Sequence, residues 1–238
     1  MSAAVRYAVY FVPARHGALY RFGATTLGYD CYTGDEVPSW PALASIPMDW
    51  IELTREPRSY GFHATLKAPF RLREDCNEAD LVAEFRRFLA APRDIPTITP
   101  SIEVLEEFIA IVPQRRNPDL EALAAAGVRT FDHFRAPMTA QERARRLHSK
   151  LSDHQLENIE RWGYPYVFED FRFHMTLTGR IPHGQQAAIR SFLQQQFSAS
   201  DNEHPIPIDG IALLRQQDRN ARFRVICHAL EAECVSKS

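Results

Sequence analysis

The sequence predicts an α+β fold of two pseudo-symmetric lobes, each a mainly antiparallel sheet backed by helices, and three observations carry that prediction. The order strand, helix, strand, strand occurs twice, over about 58–113 and 168–231. Each copy is led by a His-x-Thr-Leu string, at His63-Ala-Thr-Leu66 and His174-Met-Thr-Leu177. The stretch from the histidine to the last strand of its unit, His63 to Ile111 and His174 to Val225, agrees to within about three positions, as an internal repeat requires. One domain over 1–238 follows, with a helical insert at 117–162 between the units.

Each element has a local reason. Residues 6–13 are rich in β-branched and aromatic side chains and stop at Pro13, so they read as an opening strand. Residues 17–28 are predicted helical. The segment 31–57, with its prolines and two tryptophans, is an irregular connection with room for one short helix. Residues 61–70 alternate apolar and polar as a half-buried strand does. Leu81, Phe85, Phe88 and Leu89 recur at helical spacing within 78–91, and Pro92 closes that helix. Strands over 98–105 and 108–113 complete the first unit.

The insert is predicted as three helices, 118–130, 139–150 and 152–162, with Thr139 as N-cap and Glu142 completing a capping box. Strand pattern returns over 168–180. A helix from Pro182 to Phe197 and strands over 206–214 and 221–230 follow.

Composition excludes several classes. The 238 residues are 45% hydrophobic and 24% charged with a formal charge of −2, which suits a globular chain and gives no overall pull toward nucleic acid. No run reaches the roughly 18 apolar residues of a membrane span. Cys31, Cys76, Cys227 and Cys234 form no C-x-x-C pair, which fits a reducing cytoplasm better than a disulfide scaffold. No leader segment is expected at the N-terminus.

Side chains on a strand alternate faces, so His63, Thr65 and Lys67 are expected on one face and His174, Thr176, Thr178 and Arg180 on the matching face of the second strand. A lone His-x-Thr is uninformative. Two copies in the same structural context point to one shared site, since paired imidazoles can remove and deliver protons near neutral pH without a metal. The threonines can bond a non-bridging phosphate oxygen, and Lys67 or Arg180 can offset developing charge. His63, Thr65, His174 and Thr176 are thus the catalytic candidates. Tyr60, Lys67, Arg172 and Arg180 are candidates for substrate contact, set against their reading as ordinary strand-end or surface residues. Tyr164 and Tyr166 could wall a sugar pocket or simply pack. The basic run 142–150 reads first as a solvated helix face and second as a phosphate patch. His148, His154 and His183 lack metal-ligand spacing, so no metal and no cofactor is expected.

The longer strings Tyr60-Gly-Phe-His-Ala-Thr-Leu-Lys-Ala-Pro-Phe70 and Phe171-Arg-Phe-His-Met-Thr-Leu-Thr-Gly-Arg180 resemble the duplicated motifs of the 2H phosphoesterases, a superfamily that includes RNA 2′,3′-cyclic phosphodiesterases and LigT-like proteins. They look most like the branch encoded beside carbon–phosphorus lyase genes. The resemblance implies a LigT-like fold, a cytoplasmic phosphoric diester hydrolase, and catalytic roles for His63, Thr65, His174 and Thr176. The implied substrate is a small cyclic phosphate, a ribose cyclic phosphate of phosphonate degradation. Two rival readings are an RNA cyclic-phosphate end-processing enzyme and a non-catalytic phosphosugar- or nucleotide-binding protein.

Overall fold

A computed structural model describes residues 5–45, 48–147, 151–200, 202 and 204–230. Its strands are β1 (Arg6–Phe11), β2 (Ala64–Phe70), β3 (Thr97–Ile98), β4 (Pro100–Leu105), β5 (Phe108–Pro113), β6 (Met175–Thr176), β7 (Ile206–Pro207), β8 (Ile211–Gln216) and β9 (Arg224–His228). Its helices are α1 (Ala18–Leu27), α2 (Trp50–Leu53), α3 (Arg55–Arg58), α4 (Glu78–Ala90), α5 (Pro118–Phe131), α6 (Ala140–Arg146), α7 (Asp153–Trp162) and α8 (His183–Ala199). The class is α+β. No described helix is long and apolar enough to cross a membrane.

Seven strands form one sheet in the order β4-β5-β6-β2-β1-β8-β9, and every pairing in it is antiparallel. The two stretches predicted as repeat units interleave in this sheet. β6 of the second unit lies against the β4–β5 hairpin of the first, while β2 of the first lies beside β1, which joins it to the β8–β9 hairpin of the second. Both motif strands are therefore central and adjacent. Helices cover the sheet in pairs: Phe22 of α1 meets Phe197 of α8 edge-on, and Phe131 of α5 packs against Phe85 and Phe88 of α4. These rings are buried and supply the apolar area that drives folding.

Helix ends follow the local chemistry. The Thr139–Glu142 capping box forms as expected, and Ser152 with Gln155 makes a second one at α7. Asn77 and Asn117 accept N-terminal amides of α4 and α5. The tail of the predicted 139–150 helix, at 148–150, lies outside the described residues, as does position 231.

Three expectations are corrected. The 31–57 connection holds a 3₁₀ helix (Pro41–Ser45) as well as α2 and α3. The predicted strand 206–214 splits into β7, which pairs with β3 in a separate ribbon, and β8. The predicted strand 168–180 shrinks to Met175–Thr176, with Phe168–Asp170 forming a 3₁₀ turn. Thr178 explains where it stops. Its hydroxyl accepts the Ile109 amide at 2.9 Å, while the Leu177 and Thr178 amides both donate to the Ile109 carbonyl. A side chain has replaced the ladder.

Cys31 is a buried free thiol and Cys76 is also free, whereas Cys227 is disulfide-bonded. The reduced state expected from cysteine spacing does not extend to Cys227.

Candidate active site

β2 and β6 pair with Ala64 opposite Met175. Carried one residue further each way, that antiparallel register sets Thr65 across from His174 and His63 across from Thr176. Because side chains alternate, both His-Thr pairs fall on the face opposite the buried Ala64, Met175 and Leu66. The sheet thus brings together the four residues singled out from sequence.

The two histidines are seated in the same way. His63 Nδ1 lies 2.9 Å from the Gly61 carbonyl and His174 Nδ1 lies 2.8 Å from the Arg172 carbonyl. A carbonyl can only accept, so each Nδ1 carries the proton and each Nε2 is the free basic nitrogen of the neutral ring. Thr65 Oγ1 sits 3.3 Å from His63 Nε2 and donates to it in that state. Gly61 makes the first seat possible. It adopts φ 77°, and a Cβ there would come within 2.6 Å of the Cys31 side chain.

Aromatic rings complete the setting. Tyr10 of β1 is buried and stacks on His63 with centroids 3.8 Å apart and planes 22° apart. Tyr60 stands 6.1 Å from His63, stacked in turn on Phe223, and Phe108 stands 5.9 Å from His174. Burial among these groups pushes His63 down to about 4; the Gly61 carbonyl opposes that shift and the charge of His174 adds to it. Burial also lowers His174, against the pull of the Arg172 carbonyl. Both imidazoles are therefore neutral at neutral pH in the free protein.

The four outer candidates are not brought together. Arg172 lines a narrow space of about 20 Å³ with Thr65, His174, Tyr164 and Tyr166, room for about one water. Tyr60 belongs to a larger cavity beside it. The Lys67 ammonium is buried and bound to Asp132 at 2.5 Å, and Asp132 also takes Arg135. Burial lowers Lys67 to about 8 despite that carboxylate. Arg180 is 85% exposed, pairs with Glu107 and borders a different depression, near Asp49 and Glu52. Thr178, expected in the polar row, is buried, because its hydroxyl serves the Ile109 amide.

Sequence reasoning missed Tyr10. It sits opposite Thr65 in the β1–β2 pairing, a neighbour that only the register reveals. It also missed Arg6, Arg71, Arg135 and Arg219, which join Arg145 and Arg146 of the basic run around the larger cavity.

Residues 65–224, more than half of the chain, match the family described as Protein of unknown function (DUF1045). The chain is 36% identical over 223 residues to a ribose 1,5-bisphosphate phosphokinase PhnN of Janthinobacterium sp. (strain Marseille), covering 92% of this chain and 49% of the relative. It is 31% identical over 225 residues to the protein of the same name from Laribacter hongkongensis (strain HLHK9), covering 93% and 50%. The chain thus spans about half the length of these curated relatives. A crystal structure of a conserved protein of unknown function from Agrobacterium tumefaciens str. C58 aligns with 94% of this chain and 86% of its own, at 11% identity and a TM-score of 0.43. The relatives' names correct the expectation of a phosphoric diester hydrolase, since both are names of a phosphokinase, in which a phosphoryl group passes to an acceptor other than water.

Proposed function

The chain belongs to the DUF1045 family of unknown function, and from that premise we propose that its paired His-x-Thr strands form a site for a phosphorylated ribose, where the imidazoles move protons during phosphoryl transfer in phosphonate metabolism. The observation that carries this reading is the matched seating of the histidines. Each Nδ1–H is tied to the carbonyl two residues upstream, leaving two basic Nε2 atoms on one face of adjacent strands. The name borne by both curated relatives supports a ribose phosphate as the ligand class.

The chemistry follows from that geometry. An attacking hydroxyl gives its proton to one neutral Nε2 as the new oxygen–phosphorus bond forms. The opposite oxygen–phosphorus bond breaks, and the leaving oxygen takes a proton from the other imidazole. One ring must then be imidazolium, which burial disfavours in the free protein. A bound phosphate anion reverses this, because an opposite charge at close range favours the charged form. Thr65 and Thr176 donate to non-bridging oxygens as charge builds there.

Phosphorus NMR tests the proposal directly. Ribose 1,5-bisphosphate is incubated with the protein, with and without a nucleoside triphosphate, and with His63→Ala and His174→Ala variants. The expected outcome is a new phosphorus resonance whose rate of appearance falls at least about 100-fold in either variant, the usual scale for general acid–base groups. A spectrum unchanged under both conditions, or a conversion that both variants retain, overturns it.

A further inference from the structure

The cavity beside the histidines is lined by Arg6, Arg71, Arg135, Arg145, Arg146 and Arg219 and has a volume of about 190 Å³. Its one acidic lining residue is Glu142, which is held by Arg71 and Arg219, while Arg135 is held by Asp132. Arg6, Arg145 and Arg146 make no ion pair with a carboxylate among the described residues. Arg6 bonds Gln216 and lies over Phe223; Arg146 lies 5.4 Å from the Tyr164 ring centroid. A chain with formal charge −2 has therefore gathered three uncompensated guanidinium groups at one small cavity. Arg6 and Arg146 are half-buried while Arg145 is exposed; partial burial of a guanidinium is costly unless an anion meets it, and the planar forks match phosphate oxygens in bidentate fashion.

Two contacts connect this cavity to the histidines. Tyr60 lines it and faces His63, and Arg146, which also lines it, lies over Tyr164, a wall of the narrow space bordered by Thr65 and His174.

We infer that the arginine cavity is a subsite for a phosphate group, holding a phosphate of the ligand remote from the one that reacts at the histidines. The inference rests on the proposed phosphorylated-ribose site for the word "remote", but the anion subsite stands on its own residues. Two sources share this chemistry: a second phosphate on the sugar, and a non-reacting phosphate of a nucleotide. Lys67, Arg172 and Arg180 do not line it: Lys67 is neutralised by Asp132, Arg172 borders the narrow space with His174, and Arg180 pairs with Glu107 beside a different depression.

Calorimetric titration of the full chain tests the subsite with four probes: ribose, ribose 5-phosphate, adenosine and ATP. The variants are Arg145→Gln/Arg146→Gln, Arg146→Lys and His63→Ala, each checked for an unchanged melting curve. We expect at least one phosphorylated probe to bind at least tenfold tighter than its unphosphorylated parent, and the double variant to lose at least about tenfold of that affinity, as removal of one charged hydrogen bond does. Arg146→Lys should recover part of the loss, because it restores the charge without the fork. Dependence seen with ribose 5-phosphate assigns the subsite to the sugar, and dependence seen with ATP alone assigns it to a nucleotide; either supports the subsite. His63→Ala should keep the arginine-dependent binding, so a failure of the phosphoryl-transfer reading leaves this result intact. Equal affinity of wild type and double variant for both phosphorylated probes overturns the inference. So does an Arg145→Gln/Arg146→Gln effect of equal size on the unphosphorylated parents.

Discussion

At the scale of single residues the site is governed by what each polar group is allowed to touch. His63 and His174 keep Nε2 unprotonated because the Nδ1 proton is held by a backbone carbonyl, and burial keeps both rings neutral. That burial has a consequence for stability. The unfolded chain takes up a proton on His63 near its ordinary value of about 6.5, whereas the folded chain does so only near 4. Between those values the unfolded state binds more protons, so stability falls as pH is lowered through the interval, by up to about 1.4 kcal/mol per pH unit, and levels off below it. Denaturant melts from pH 7 to pH 4 should show a shallower acid loss in His63→Gln than in the wild type; equal slopes would mean that His63 titrates normally. Lys67 offers a second test. Removing Asp132 leaves a buried ammonium with no counter-charge, so Asp132→Ala should cost about 3–5 kcal/mol, while Lys67→Met, which keeps the volume and removes the charge, should cost about 1 kcal/mol or less. Costs in the reverse order would show that the ammonium is not desolvated.

Elements decide how firmly those residues are aimed. β2 begins directly after His63, and the turn that delivers it is fixed from two sides. Gly61 supplies the left-handed backbone, and Phe62 is driven into the core against α1. Gly23 of α1 is the contact point: a Cβ at that position would fall within the Phe62 ring. Helix propensity alone would favour alanine by roughly 1 kcal/mol, yet overpacking costs about 1–3 kcal/mol. Gly23→Ala should therefore lower the melting temperature and shift the NMR signals of His63, although it touches neither imidazole nor substrate. A stabilised variant with unmoved His63 signals would remove Phe62 as the anchor of this turn. β6 is held differently: its two strand residues pair with β2 and β5, and beyond them the Leu177 and Thr178 amides and the Thr178 hydroxyl bind the Ile109 backbone.

For the whole molecule, the interleaved sheet order makes the two predicted units interdependent. β6 needs β5 of the first unit on one side and β2 on the other, and β8 reaches β2 only through β1. Neither unit carries a complete sheet of its own. Equilibrium unfolding should accordingly be one cooperative transition, with tryptophan fluorescence (Trp40, Trp50 and Trp162) and far-ultraviolet circular dichroism giving coincident curves. Two separated transitions would show lobes that fold independently.

The amino-acid sequence by itself determined the strand-forming string around His63, the alternation that sets His63 with Thr65 and His174 with Thr176 on one face, the helix cap at Thr139, and the α+β class, because each depends on near neighbours through alternation, helical period or capping chemistry. Only the tertiary structure decided which hairpin borders each motif strand, that Tyr10 stacks on His63, that Thr178 turns inward, that Asp132 takes Lys67, and that arginines from Arg6 to Arg219 meet in one cavity. Those outcomes depend on register and on contacts between residues far apart in the chain, where packing and the desolvation of charge, not local pattern, select the partner.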